Sequence, residues 1–167
     1  MDREPIVDHE LIEHYAAGGE KLAMAIRGLT REDLLCVPPA DANVGRWSIQ
    51  QVVVHCMDSD LVATDRIKRM IAEDNPTLIG YDENKFAQNL LYEEQPAEQA
   101  VQIVDLNRRL FAHVLRRLPP QVWGRKGTHN ERGVITAGDY VKSTVAHLDH
   151  HIAFIHKKRA HWGKEMW

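Results

Sequence analysis

The sequence predicts an all-α protein, a four-helix bundle with long crossover connections, in one domain spanning residues 1–167. Three observations lead there. Four stretches carry apolar residues at helical spacing, and the segments between them hold the glycine, proline and Asp/Asn clusters that end helices. The length of 167 residues, 44% of them hydrophobic, is enough for one substantial core and short for two. No internal repeat, low-complexity tract or linker interrupts the chain. Four amphipathic helices of this size bury their apolar faces most simply against one another, and cofactor sites in such bundles arise from side chains on facing helices.

The first helix is expected over Pro5 to Ile26, ending at Gly28. "GLTREDLLCVPPADANVGRW" then reads as a long connection. In "RWSIQQVVVHCMDSDLVATDRIKRMIAED", Ser48 caps the exposed amides while Gln51 reaches back, so a capping box opens a second helix running to about Glu73. Its core stripe is Ile49, Val52, Val53, Cys56, Ile67, Met70 and Ile71, with His55 at the flank and Asp60 near the middle. A buried carboxylate calls for a partner, which could be a metal-site hydrogen bond, a cap or a salt bridge. "NPTLIGYDENKFAQNLLYEEQ" is irregular or short-helical. Pro96 suits a first helical position, and Val101, Val104, Leu106, Leu110, Val114, Leu115 and Leu118 give the third helix its stripe before Pro119 and Pro120 stop it. "QVWGRKGTHNERGVI" reads as a loop or small hairpin, and Thr136 caps a fourth helix through about Ala160.

Charge and composition narrow the function classes. Lysine and arginine number 21 against 24 acids, which gives no basic field for nucleic acid or anionic lipid, so a small-molecule substrate is the expected partner. The start, "MDREPIVDHE", lacks a basic region with an apolar run, and no stretch has the length of a membrane span, which predicts a cytoplasmic protein. Two cysteines, Cys36 and Cys56, have no metal-type spacing and fit a reducing compartment. Cys56 reads as a buried structural thiol.

The histidines carry the strongest chemical signal. Ten in 167 residues produce on the order of 0.6 chance pairs at i, i+4, so spacing alone decides little. Position on the helix decides more. In "VAHLDHHIAF", Val141, Val145, Leu148, Ile152 and Ile155 set the core stripe and Tyr140 and Phe154 widen it. His147 and His151 fall inside that arc, about 40° apart, while His150 points away from it. Two stacked imidazoles among apolar neighbours lack acceptors, and a shared metal would satisfy both. A third ligand should come from a facing helix: His55 is the first choice and His129 the reserve, against the alternative that His55 is an ordinary satisfied histidine. His147 is followed by Leu148, so the HExxH pattern and its general base are absent; Asp58 and Asp60 are the only acidic candidates for a catalytic role near His55.

"GRWSIQQVVVHCMDSD", "GYDENKFAQ" and "VAHLDHHIAFI", in that order, resemble the DinB-like superfamily of metal-binding four-helix bundles, in particular its YfiT branch of metal-dependent hydrolases. The resemblance covers nearly the whole chain, and its most specific element is a W-S capping segment followed by a histidine and, about ninety residues on, an H-x-x-x-H ending on an HH pair. It implies three ligands at His55, His147 and His151, one divalent ion (nickel or zinc), and a homodimer. It also implies two enzyme classes: a hydrolase activating a bound water, or an S-transferase or isomerase in detoxification that uses a low-molecular-weight thiol such as bacillithiol, mycothiol or glutathione. Arg125, Lys126 and Arg132 in "WGRKGTHNERG" are the candidates for binding such an anionic cofactor. The non-enzymatic alternative is a bundle whose metal is structural or lost.

Overall fold

A computed structural model describes residues 8–165. Its helices are α1 (His9–Ala16), α2 (Gly18–Ile26), α3 (Arg31–Leu35), α4 (Ile49–Ala72), α5 (Glu83–Asn89), α6 (Ala97–Leu115) and α7 (Ala137–His161). The bundle consists of α1 with α2, α4, α6 and α7. The expected first helix is therefore two segments broken at Ala17, beside the helix-weakening pair Gly18 and Gly19; its expected start at Pro5 lies outside the described residues. Gly19 has a packing reason as well, because a Cβ there would stand 2.2 Å from the Asp105 Cα of α6.

The connectivity is set by which faces meet. The α1/α2 pair packs on α6 and α7, and α4 packs on the same two helices from the other side. Sequence neighbours α2 and α4 thus occupy opposite corners, which is why the chain needs long crossovers. Residue pairing gives the directions: His55 meets His147 and Arg66 meets Tyr140, so α4 and α7 are antiparallel. Gln50 meets Gln95 and Asp60 meets Arg108, so α4 and α6 are parallel.

Local signals placed the long helices well. The Ser48/Gln51 capping box is formed, and the Thr136 hydroxyl accepts from the Asp139 amide at the start of α7. Pro96 is the N-cap of α6 and stands one residue ahead of the helix. The third-helix stripe needs a larger correction. Leu106, Leu110 and Val114 are 62%, 66% and 42% exposed, whereas the buried face runs through Ala97, Ala100, Val101, Val104, Arg108, Phe111, Ala112 and Leu115. The helix is turned so that an arginine, held by partners on other helices, enters the core. The hairpin is present as β2 (Lys126–His129) and β3 (Gly133–Thr136), antiparallel, and β1 (Thr77–Leu78) adds to β2 in parallel. No helix among the described residues is long and apolar enough to cross a membrane.

The core holds a polar knot. From α6, Arg108 donates to the Asp60 carboxylate of α4 at 2.7 Å, to the Tyr15 carbonyl of α1 at 3.4 Å and to the Thr144 carbonyl of α7 at 3.2 Å. Asn107 donates to Asp60 at 2.7 Å and to Thr64 at 2.8 Å. A single guanidinium therefore ties all four corners of the bundle. Gly18 leaves room for it, since a Cβ there would lie 2.4 Å from Arg108 Nη1.

Candidate metal centre

Two helices supply the centre, and their rigidity fixes its geometry. On α4 the capping box fixes the helix start seven residues before His55. The loop ahead of it is held by the buried Lys158 amine of α7, which donates to the carbonyls of Val44 and Gly45. The Trp47 ring then packs edge-on to His55, with centroids 5.1 Å apart. On α7, His147 and His151 are one turn apart and present their rings on one face.

The Nε2 atoms of the three imidazoles converge. His147 Nε2 lies 3.3 Å from His55 Nε2 and 3.2 Å from His151 Nε2, and the three rings offer one nitrogen each within 4.8 Å of one another. His55 is fully buried, and the other two are half-buried. Burial first, and then the charge of neighbouring histidines, pushes each pKa down to about 4, so all three rings are neutral at pH 7. His150, by contrast, is exposed.

Whether this set fits a metal can be tested on its own atoms. Neutral imidazole nitrogen is the donor that zinc and similar ions accept at about 2.0–2.1 Å, and tetrahedral ligands at that radius stand about 3.3 Å apart. The two contacts at 3.3 and 3.2 Å match that edge. A neutral imidazole has one N–H, and the tautomer that frees Nε2 places it on Nδ1. At His55 that Nδ1 is buried with no protein partner, while Nε2 is turned toward His147 Nε2 and the Ser59 hydroxyl. The residues fit a divalent ion.

One side of the triad opens on a cleft. The Ser59 hydroxyl lies 3.4 Å from His55 Nε2 and 2.6 Å from the Tyr81 hydroxyl. Ser59, Tyr81, Arg66, Arg132, Tyr140 and His147 are among its lining residues. The remaining sequence candidates sit elsewhere or are engaged. Asp60 faces Arg108, which settles its partner as a salt bridge. Asp58 accepts from the Tyr92 hydroxyl at 2.5 Å. His129 is buried in β2, its Nδ1 accepting from the Glu131 amide, apart from the triad. Arg125 donates to the Met70 and Glu73 carbonyls and to Asp74, anchoring the hairpin to the end of α4. Lys126 is an exposed strand residue, and Arg132 alone of the three basic candidates lines the cleft. Cys56 is buried, and burial pushes its thiol up to about 12, which leaves it inert as a nucleophile.

Sequence reasoning missed Ser59, Tyr81 and Arg66. The available signal was phase: Ser59 follows His55 by one turn, and Arg66 sits beside Ile67 on a face read as apolar.

The sequence pattern of the DinB superfamily matches residues 14–155. The chain belongs to the DinB superfamily. A protein of Oceanobacillus iheyensis named "putative metal-dependent hydrolase" is 33% identical over 121 residues, covering 71% of this chain and 69% of its own. A Bacillus mycoides protein with the same name is 28% identical over 144 residues, covering 85% of this DinB chain and 80% of its own. The structure of YfiT from Bacillus subtilis, described as "a probable metal-dependent hydrolase with an unusual four-helix bundle topology", superposes with a TM-score of 0.86 at 24% identity, covering 98% of this chain and 93% of that one. At that identity the likeness speaks for the four-helix bundle fold.

Proposed function

We propose that this DinB protein is a metal-dependent hydrolase of small molecules in the cytoplasm, formed by one domain, with His55, His147 and His151 as the ligands of one divalent ion. The observation that carries the reading is the convergence of three neutral imidazole nitrogens beside an open cleft. A divalent ion held there supplies a Lewis acid that brings the ionisation of water toward neutral pH. The chain's own part is to pack Trp47 against His55 and to leave the centre open toward Ser59 and Tyr81. The paired hydroxyls of Ser59 and Tyr81 can pass a proton or orient a substrate oxygen at the triad. Histidine donors suit zinc and nickel alike.

The names borne by the relatives support hydrolysis. The test is cleavage of activated ester and amide probes by protein purified without a histidine tag. Hydrolysis should vanish on chelation and return with zinc or nickel. Turnover that survives chelation would contradict the reading. Activity that appears only with added glutathione or bacillithiol would instead establish the thiol-transfer class.

We also infer a homodimer through α6. Ile103, Leu106, Leu110 and Val114 form an exposed ridge on one helix face. Glu93, Glu94 and Glu98 stand toward one end and Arg109 and Arg117 toward the other, so antiparallel packing of two copies opposes unlike charges. Sedimentation should give a dimer for the wild type and a monomer for Leu106→Glu; the same mass for both would contradict this interface.

A further inference from the structure

We infer that the cleft beside the triad is built for an elongated acid, a substrate whose carboxylate or phosphate is held by Arg66 and Arg132 while its reacting group faces the histidines. This rests on reading the triad as the reaction centre.

Arg66 is the leading observation. It is 9% exposed, lines the cleft, and donates only to neutral acceptors, the Tyr140 hydroxyl at 2.7 Å and the Ile79 carbonyl. Among the described residues it takes part in no ion pair. A guanidinium has five N–H donors, and a buried cation without a counter-ion is costly to keep. Arg108, on the floor of the same cleft, shows the contrast: its charge is matched by Asp60 at 2.7 Å. Arg66 is thus the buried cation of the cleft that the protein leaves unmatched.

A second guanidinium faces the same space from another element. Arg132, in the turn between β2 and β3, is exposed, lines the cleft and is likewise outside every ion pair of the described residues. A guanidinium fork matches the geometry of an oxyanion, and two of them line this cleft from different elements. Glu83 also lines the cleft; burial raises its carboxyl pKa, and the nearby Arg132 guanidinium pulls it back down, so Glu83 competes for Arg132. It stands against an anionic ligand, which gives the proposal a test of sign.

Distance along the helices sets the substrate's length. Arg66 follows Ser59 by seven residues on α4, and Tyr140 precedes His147 by seven on antiparallel α7. At 1.5 Å of rise per residue, the Arg66–Tyr140 pair lies roughly 10 Å from the Ser59–His147 end. The acid group is therefore several bonds from the group that meets the triad, within a cleft of about 90 Å³. That volume holds several waters and so suits a small acid rather than a drug-sized ligand.

Calorimetry on the full chain, metal-free and metal-loaded, with glutarate, inorganic phosphate and neutral glutaramide at fixed ionic strength tests this. Glutarate, phosphate or both should bind the metal-free protein and glutaramide should not; whichever of the two binds names the acid. Binding should weaken at least tenfold in Arg66→Met and in Arg132→Met, tighten in Glu83→Gln and stay unchanged in Lys126→Ala. Arg132 is exposed, so its variant keeps the test decisive even where Arg66→Met fails to fold. Equal binding in the wild type and Arg132→Met, binding of glutaramide as well as glutarate, or no effect of Glu83→Gln would overturn the proposal. The hydrolase reading fails separately: anion binding without metal binding retains the pocket and removes the reaction centre, and metal-dependent hydrolysis without anion binding does the reverse.

Discussion

His147→Ala is expected to bind zinc or nickel at least about 100-fold more weakly than the wild type, since removing a ligand should exceed the 10- to 100-fold loss typical of changes to groups that only orient one. His147 is the sharpest choice because its Nε2 sits between the other two, 3.3 Å from His55 and 3.2 Å from His151. Without it, His55 and His151 remain as a bidentate remnant. His150→Ala is the internal control, an adjacent but exposed histidine that should leave metal content unchanged. Competition titration against a chromogenic chelator gives the affinities, with far-ultraviolet dichroism verifying that each variant is folded. Equal affinities for the wild type and His147→Ala would contradict the assignment.

The second large effect concerns stability. Asp60 and Arg108 are 3% and 2% exposed, and burial pushes the Asp60 carboxyl up while Arg108 and Asn107 hold it down. Asp60→Ala leaves a buried guanidinium unmatched and should lower unfolding free energy by about 3–5 kcal/mol, a large share of the roughly 5–15 kcal/mol typical of a domain. Arg108→Met should lower it similarly, because Asp60 loses its cation and the carbonyls of Tyr15 and Thr144 lose a donor. The double variant Asp60→Leu/Arg108→Met should recover a good part of the loss, since a buried pair replaced by apolar groups of similar volume is often near neutral. Urea unfolding of the three variants gives the coupling. Losses that simply add in the double variant would show that the two residues are not a unit.

The sequence carried the histidine centre and concealed the arginines, for one physical reason. On α7 the apolar stripe is dense enough that its phase places His147 and His151 on the inner arc and His150 outside it, as found. His55 needed more than phase, because a histidine at a helix flank is ordinary; the family pattern singled it out. On α6 the apolar residues themselves misled. Leu106, Leu110 and Val114 share a face that sequence alone ranks as core, yet that face is outside and Arg108 is inside. What makes burying an arginine tolerable is Asp60, 48 residues away on a neighbouring helix, together with carbonyls from two further helices. No local periodicity contains that information. The same holds for Arg66, whose place in the cleft wall depends on Tyr140 and on the loop carrying Ile79. The Ser48/Gln51 capping box and the Thr136 cap, being local, are legible within a residue or two; the Thr30/Asp33 box that opens α3 lies in a stretch read as a connection, α6 ends four residues before Pro119, and the break at Ala17 reflects the close approach of Gly18 and Gly19 to neighbouring helices, which is tertiary.

The central claim is that three histidines from two helices share one ion. X-ray absorption at the metal edge, on tag-free protein loaded with one equivalent of zinc, measures this directly. The account predicts three imidazole nitrogens at about 2.0–2.1 Å with oxygen completing the shell, and loss of that signature when His55, His147 and His151 are all changed to alanine. A shell without imidazole scattering, or one unchanged in the triple variant, would contradict it.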